Sequence, residues 1–202
     1  MEETNNQKIK SKPSEFLEVF FCLNSRKVFN FNSETLQMDY HFYQQKFQEA
    51  LDQISQKEFN ELGLKLSVEV ILESVVLKIY KPEWSSDAQS PLDASSRIFF
   101  SIWIHDKTIE EGRLYYNIHA LKLRELKGYT IQSRRFAEDF RSRFTEYQKD
   151  WDNLSLKFGP LTLMQGWREL KTENLQRDII KLSYSFLEIS PIIDETLSHF
   201  KI

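Results

Sequence analysis

Residues 97–124, RIFFSIWIHDKTIEEGRLYYNIHALKLR, constrain the fold more than any other stretch. Two runs rich in β-branched and aromatic residues, 97–105 and 113–123, flank a polar segment, 106–112, that ends in glycine. Such a pattern predicts a β-hairpin. Side chains alternate between the faces of a strand. With His105 paired to Arg113, Ile98, Phe100, Ile102, Ile104, Leu114, Tyr116, Ile118 and Ala120 fall on one face. This face is a core face with a single hydroxyl to satisfy. Phe99, Ser101, Trp103, His105, Arg113, Tyr115, Asn117 and His119 fall on the other. A face both aromatic and polar has two accounts. It is a second layer lying under a helix, or it is the floor of a binding site, because pockets combine apolar walls with a few placed polar groups. A slip of one residue would exchange the two faces.

The remaining segments supply partners for the hairpin. Ser33 followed by Leu36, Tyr40, Tyr43, Phe47, Leu51 and Ile54 predicts a capped amphipathic helix, long enough to break once before Gly63. Residues 64–81 alternate as a strand, and their parity switches at Glu73-Ser74, which predicts a bulge or a tight turn there. Residues 85–96 have loop composition and predict a surface insertion or a lid rooted at Trp84. Ser133 is the expected cap of a helix whose stripe, Phe136, Phe140, Phe144, Tyr147 and Trp151, should lie on the sheet, against the mixed face. Residues 154–163 read as extended but broken at Gly159-Pro160, Gly166-Trp167 as a turn, and Thr172 as the cap of a last helix that Pro191 interrupts. The predicted architecture is α+β: an antiparallel sheet of four to six strands with helices packed on at least one face. At 202 residues the chain suits one domain, 13–202, after a polar leader, 1–12.

Several chemistries find no support. Four His and one Cys offer neither Cys-x-x-Cys nor His-Glu-x-x-His spacing, so no metal is expected. In the assumed register His105 and His119 lie about 20 Å apart, too far to share an ion. Five glycines form neither a dinucleotide fingerprint nor a phosphate loop, and no cofactor is expected. Cys22 sits in the apolar run 16–23 and reads as a buried thiol. A lone cysteine, the absence of an apolar leader core, and apolar runs well short of the ~20 residues needed to cross a bilayer predict a cytoplasmic protein without a membrane partner.

Local charge is the remaining signal. Between residues 122 and 143, Lys122, Arg124, Lys127, Arg134, Arg135, Arg141 and Arg143 face three acids, Glu125, Glu138 and Asp139, within a chain of formal charge −3. Arg134 and Arg135 fall in the first turn of their helix, where the dipole disfavours cations unless an anion offsets them. The alternative is local pairing, Arg134 with Glu138 and Arg135 with Asp139, four residues on. The expected function is a soluble binding or regulatory module for an anionic ligand, either nucleic acid or a phosphorylated small molecule. Its expected site is Trp103, Tyr115, Asn117 and His119 together with Lys122, Arg124, Lys127, Arg134 and Arg135. One alternative is an enzyme whose acid and base groups, His105, Asp106, Glu110 or His119, converge near the hairpin. Another is a structural or protein-interaction domain, such as a homo-oligomer using its aromatic surface.

Overall fold

The structure is a computed structural model that describes residues 39–202. They fall within one compact unit, Leu36–Ile202. The expectations for the leader, for Cys22 and for Ser33 lie outside the described residues.

The described residues begin with α1 (Tyr40–Gln53), capped by the Asp39 carboxylate, which accepts from the Phe42 N–H at 2.9 Å. It breaks at Ile54-Ser55, and α2 (Gln56–Glu61) carries on to Gly63, whose φ of +73° ends the helical run. The parity switch resolves as a tight turn rather than a bulge. Strands β1 (Lys65–Ile71) and β2 (Ser74–Ser85) are joined by Leu72 and Glu73, both at positive φ, as a two-residue hairpin of the twist-matched kind requires. The switch keeps Val70, Val68 and Leu66 on the same face as Val75, Leu77 and Ile79.

The predicted hairpin forms from β3 (Arg97–His105) and β4 (Arg113–Leu121) in the expected register, with Trp103 opposite Tyr115, Ser101 opposite Asn117 and Phe99 opposite His119. Its connection contains a short helix, α3 (Asp106–Glu110). Then come α4 (Ser133–Phe144), β5 (Thr162–Glu169) and α5 (Leu175–Ser198). The five strands lie in the order β1-β2-β3-β4-β5, every pair antiparallel. Neighbours in sequence are thus neighbours in the sheet.

All eight residues of the predicted core face are buried and share one cluster with the helices. Phe100 stacks on Phe186 of α5 at 4.5 Å between ring centres, and Trp84 meets Phe100 edge-on. The Tyr116 hydroxyl, the single polar group of that face, donates to the Asp152 carbonyl. The stripe of α4 also belongs to this cluster: Phe144 packs on Trp151, which packs on Tyr116 and Phe186. It therefore covers the core face and not, as expected, the mixed one.

Three further expectations are corrected. Gly166-Trp167 is no turn; Gly166 lies mid-strand opposite Tyr116, and a side chain there would collide with the Tyr116 hydroxyl. Residues 154–163 divide at the expected Gly159-Pro160 break: Ser155 bridges back to Gln165 before it, and β5 starts at Thr162 after it. Ser133 is the first helical residue of α4, not its cap, and Gln132 at the cap position makes no side-chain capping bond. Pro191 does not interrupt α5. A proline leaves the carbonyl four residues before it without its helical N–H, and the Ser190 hydroxyl donates to that carbonyl, Leu187, at 2.9 Å. The 85–96 loop is tied at both ends, by Ser86 N–H to the Ser96 carbonyl at 2.9 Å and by Arg97 to the Ala94 carbonyl. Trp84 at its root is fully buried and donates to Asp194 at 2.7 Å. Among the described residues no helix is long and apolar enough to cross a membrane.

Candidate functional site

The two halves of the expected site have different fates. On the second face of the sheet, Trp103 is 3 %, Asn117 0 % and His119 2 % exposed, while Tyr115 is half-buried. Trp103 stacks on Tyr115 with ring centres 4.9 Å apart. Tyr115 in turn accepts from Arg113 at 3.3 Å, and Arg113 lies over the Trp167 ring. Val76, Phe99 and Trp103 are buried but stand outside the cluster that the helices build on the first face.

Beside these aromatics lies a group of buried polar side chains that the sequence reading missed. Lys78 is only 4 % exposed; its ammonium donates to Glu69 at 2.8 Å, and Ser67 donates to the same carboxyl group at 3.0 Å. The Lys78 ammonium and the Arg97 guanidinium each lie within 6 Å of the Phe99 ring centre, at 5.8 and 5.7 Å. Burial lowers the pKa of both cations. His119 packs against Phe99 at 5.2 Å. Burial lowers its pKa to about 4, against a raising contribution from the Leu161 carbonyl, and the nearby Arg97 and Lys78 charges lower it further. Ser101 donates to the Asn117 carbonyl oxygen, and the buried Asn117 amide nitrogen has no hydrogen-bond partner among the described residues. The sequence held one signal for this group. In VVLKIY, the parity that puts Val75, Leu77 and Ile79 in the core puts Lys78 on the second face, between Val76 and Tyr80.

The groups considered for acid–base work sit apart. His105 caps α3: its Nδ1 accepts from the Thr108 N–H at 3.4 Å, and the Thr108 hydroxyl accepts from the His105 N–H at 2.9 Å. Burial lowers its pKa as well. His119, opposite Phe99, lies towards the other end of the hairpin. Among the described residues no three His, Cys, Asp or Glu side chains group as metal ligands.

The basic segment is the exposed half. Lys122, Arg124, Lys127, Arg134 and Arg135 are all exposed, and none forms an ion pair with a described residue. The local pairing of Arg134 with Glu138 and of Arg135 with Asp139 does not form. Asp139 is engaged instead by Arg143 at 3.1 Å and by His199 at 3.0 Å. The other two cations of the segment are half-buried and engaged by other parts of the fold. Arg141 donates to the carbonyls of Phe158, Gly159, Thr162 and Leu163 at 2.9–3.1 Å, clasping the approach to β5. Arg143 adds Glu195 at 3.4 Å to its Asp139 contact.

The uncapped start of α4 opens on a groove of about 560 Å³ lined by Thr130, Gln132, Arg135, Asp139, His199, Phe200, Lys201 and Ile202. The closing wall is held by backbone bonds, Thr130 N–H to the Phe200 carbonyl at 2.8 Å and Ile202 N–H to the Gly128 carbonyl at 3.1 Å. None of the four expected residues of the aromatic face lines it. The groove brings Arg135 and its neighbour Gln132 together with His199 and Lys201, two residues that adjoin Arg135 only once the chain end folds back. Comparison of the chain with protein-family models, with curated proteins and with solved structures finds no match.

Proposed function

We propose that this chain is a binding module for a phosphate-bearing anion, held at the basic segment 122–135 and the groove beside the start of α4. One observation carries the reading. Five cations within fourteen residues have no acidic partner among the described residues, although Arg141 and Arg143, further along α4, are both engaged. Two of the five stand in the first turn of α4, which has no acidic residue of its own and no side-chain cap. An anion there would complete the free N–H groups of the turn and relieve the unfavourable placement of Arg134 and Arg135.

The ligand chemistry is phosphate, free or carried on a nucleotide or a nucleic acid. Titrations with inorganic phosphate, a nucleoside triphosphate and a single-stranded oligonucleotide, each over a salt series, distinguish these sources. If all five cations engage a strand, log affinity should fall with log salt with a slope of up to about 3.5 in magnitude. A nucleotide ligand binds with a smaller slope and saturates at one per chain. Absence of binding by all three probes at low salt would contradict the reading.

A further inference from the structure

The outer edge of the sheet carries a second surface, independent of the anion site. Strand β1 ends the sheet, and no described strand lies beyond it. No described residue outside the β1–β2 ladder hydrogen-bonds to its backbone. An open edge is a template for another strand, and proteins normally blunt it. Here it is flanked by apolar surface. Among the described residues four large hydrophobics are exposed; three of them border β1, Leu62 at 40 % before its start and Val70 and Leu72, each at 45 %, at its far end.

The register fixes which groups point outward. A two-residue turn closes on a pair that exchanges both hydrogen bonds, here Ile71 with Ser74. Ile71, Glu69, Ser67 and Lys65 therefore bond to β2, and the N–H and C=O groups of Leu66, Val68 and Val70 face away from the sheet. The charges on the strand are self-complementary. In an antiparallel pairing of two copies centred on Ser67, Lys65 of each copy stands opposite Glu69 of the other, and Leu66 stands opposite Val68. A pairing that makes residue i meet j and j meet i is what a two-fold dimer needs.

We infer that the partner of this edge is a second copy of the chain, joined through β1 in an antiparallel, two-fold pairing centred on Ser67 that makes one continuous sheet. The test is mass in solution over a concentration series, on the full chain. The wild type should rise from 24.2 kDa towards twice that value. Val68→Pro removes an outward N–H and leaves the β1–β2 ladder intact, so it should hold the chain at the monomer mass. Val70→Lys, an exposed substitution, should do the same and serves if the proline variant does not fold. With Cys22 replaced by Ser, Ser67→Cys should cross-link two copies under mild oxidation. A wild type that stays monomeric throughout, a dimer that withstands Val70→Lys, or a dimer in which Ser67→Cys forms no cross-link overturns the inference.

Discussion

Lys78 and Arg97 on the sheet and Lys122, Arg124, Lys127, Arg134 and Arg135 after it are the same residue types in opposite states. The first two are held within the fold, one by Glu69 and one by the Ala94 carbonyl, with Phe99 between them. The other five are exposed and have no ionic partner among the described residues. The contrast recurs within one helix: Arg141 is clasped by four carbonyls, while Arg134, two turns earlier, meets none. A count of charges along the chain treats these residues alike. Their partners divide them into those that hold the fold and those with no ionic partner among the described residues.

The comparison makes predictions that differ in size. Arg141→Ala should cost the most, about 3 kcal/mol in denaturant unfolding, because four carbonyls, three of them part-buried, lose a charged donor together. His119 comes next. Its folded pKa is lowered to about 4 from an unfolded 6.5, so the unfolded chain binds the extra proton first as pH falls. Stability from this group is complete above about pH 6.5 and is lost progressively down to about pH 4, by about 3 kcal/mol. His119→Gln should flatten that acid limb in unfolding measured at several pH values. Gly166→Ala should cost about 2 kcal/mol through overpacking. Tyr116→Phe should recover part of that cost, because the hydroxyl is the nearest atom the new methyl meets. Lys78→Met should change stability by about 1 kcal/mol or less, or raise it, since a well-packed apolar side chain replaces a buried ion. The smallest stability effect is expected from Arg134→Gln with Arg135→Gln, within about 0.5 kcal/mol, while phosphate binding weakens and the salt slope drops by about 1.4. If this double variant unfolds easily, or Arg141→Ala does not, the division between internal and free cations fails.

The faces of the sheet were legible from sequence because strand alternation is strict. One parity placed eight hairpin residues in the core, and the parity switch at Glu73-Ser74 located the first hairpin. What failed depended on atoms distant in sequence. Gly166 reads as a turn until Tyr116 is known to stand across from it. Pro191 reads as a break until the Ser190 hydroxyl is seen on the Leu187 carbonyl. The α4 stripe has no property that distinguishes one face of the sheet from the other. The candidate site divides in the same way. The basic run is visible in the sequence, but its freedom depends on Asp139 turning to His199, sixty residues away. The placement of buried Lys78 and half-buried Arg97 beside Phe99 required the register of three strands.

The most direct test is amide NMR of the chain during addition of inorganic phosphate at low salt. The account predicts saturable shifts at residues 133–136 and at Lys201, with the amides of Asn117 and His119 unmoved. Shifts centred on Asn117 and His119, or none at the start of α4, would contradict it.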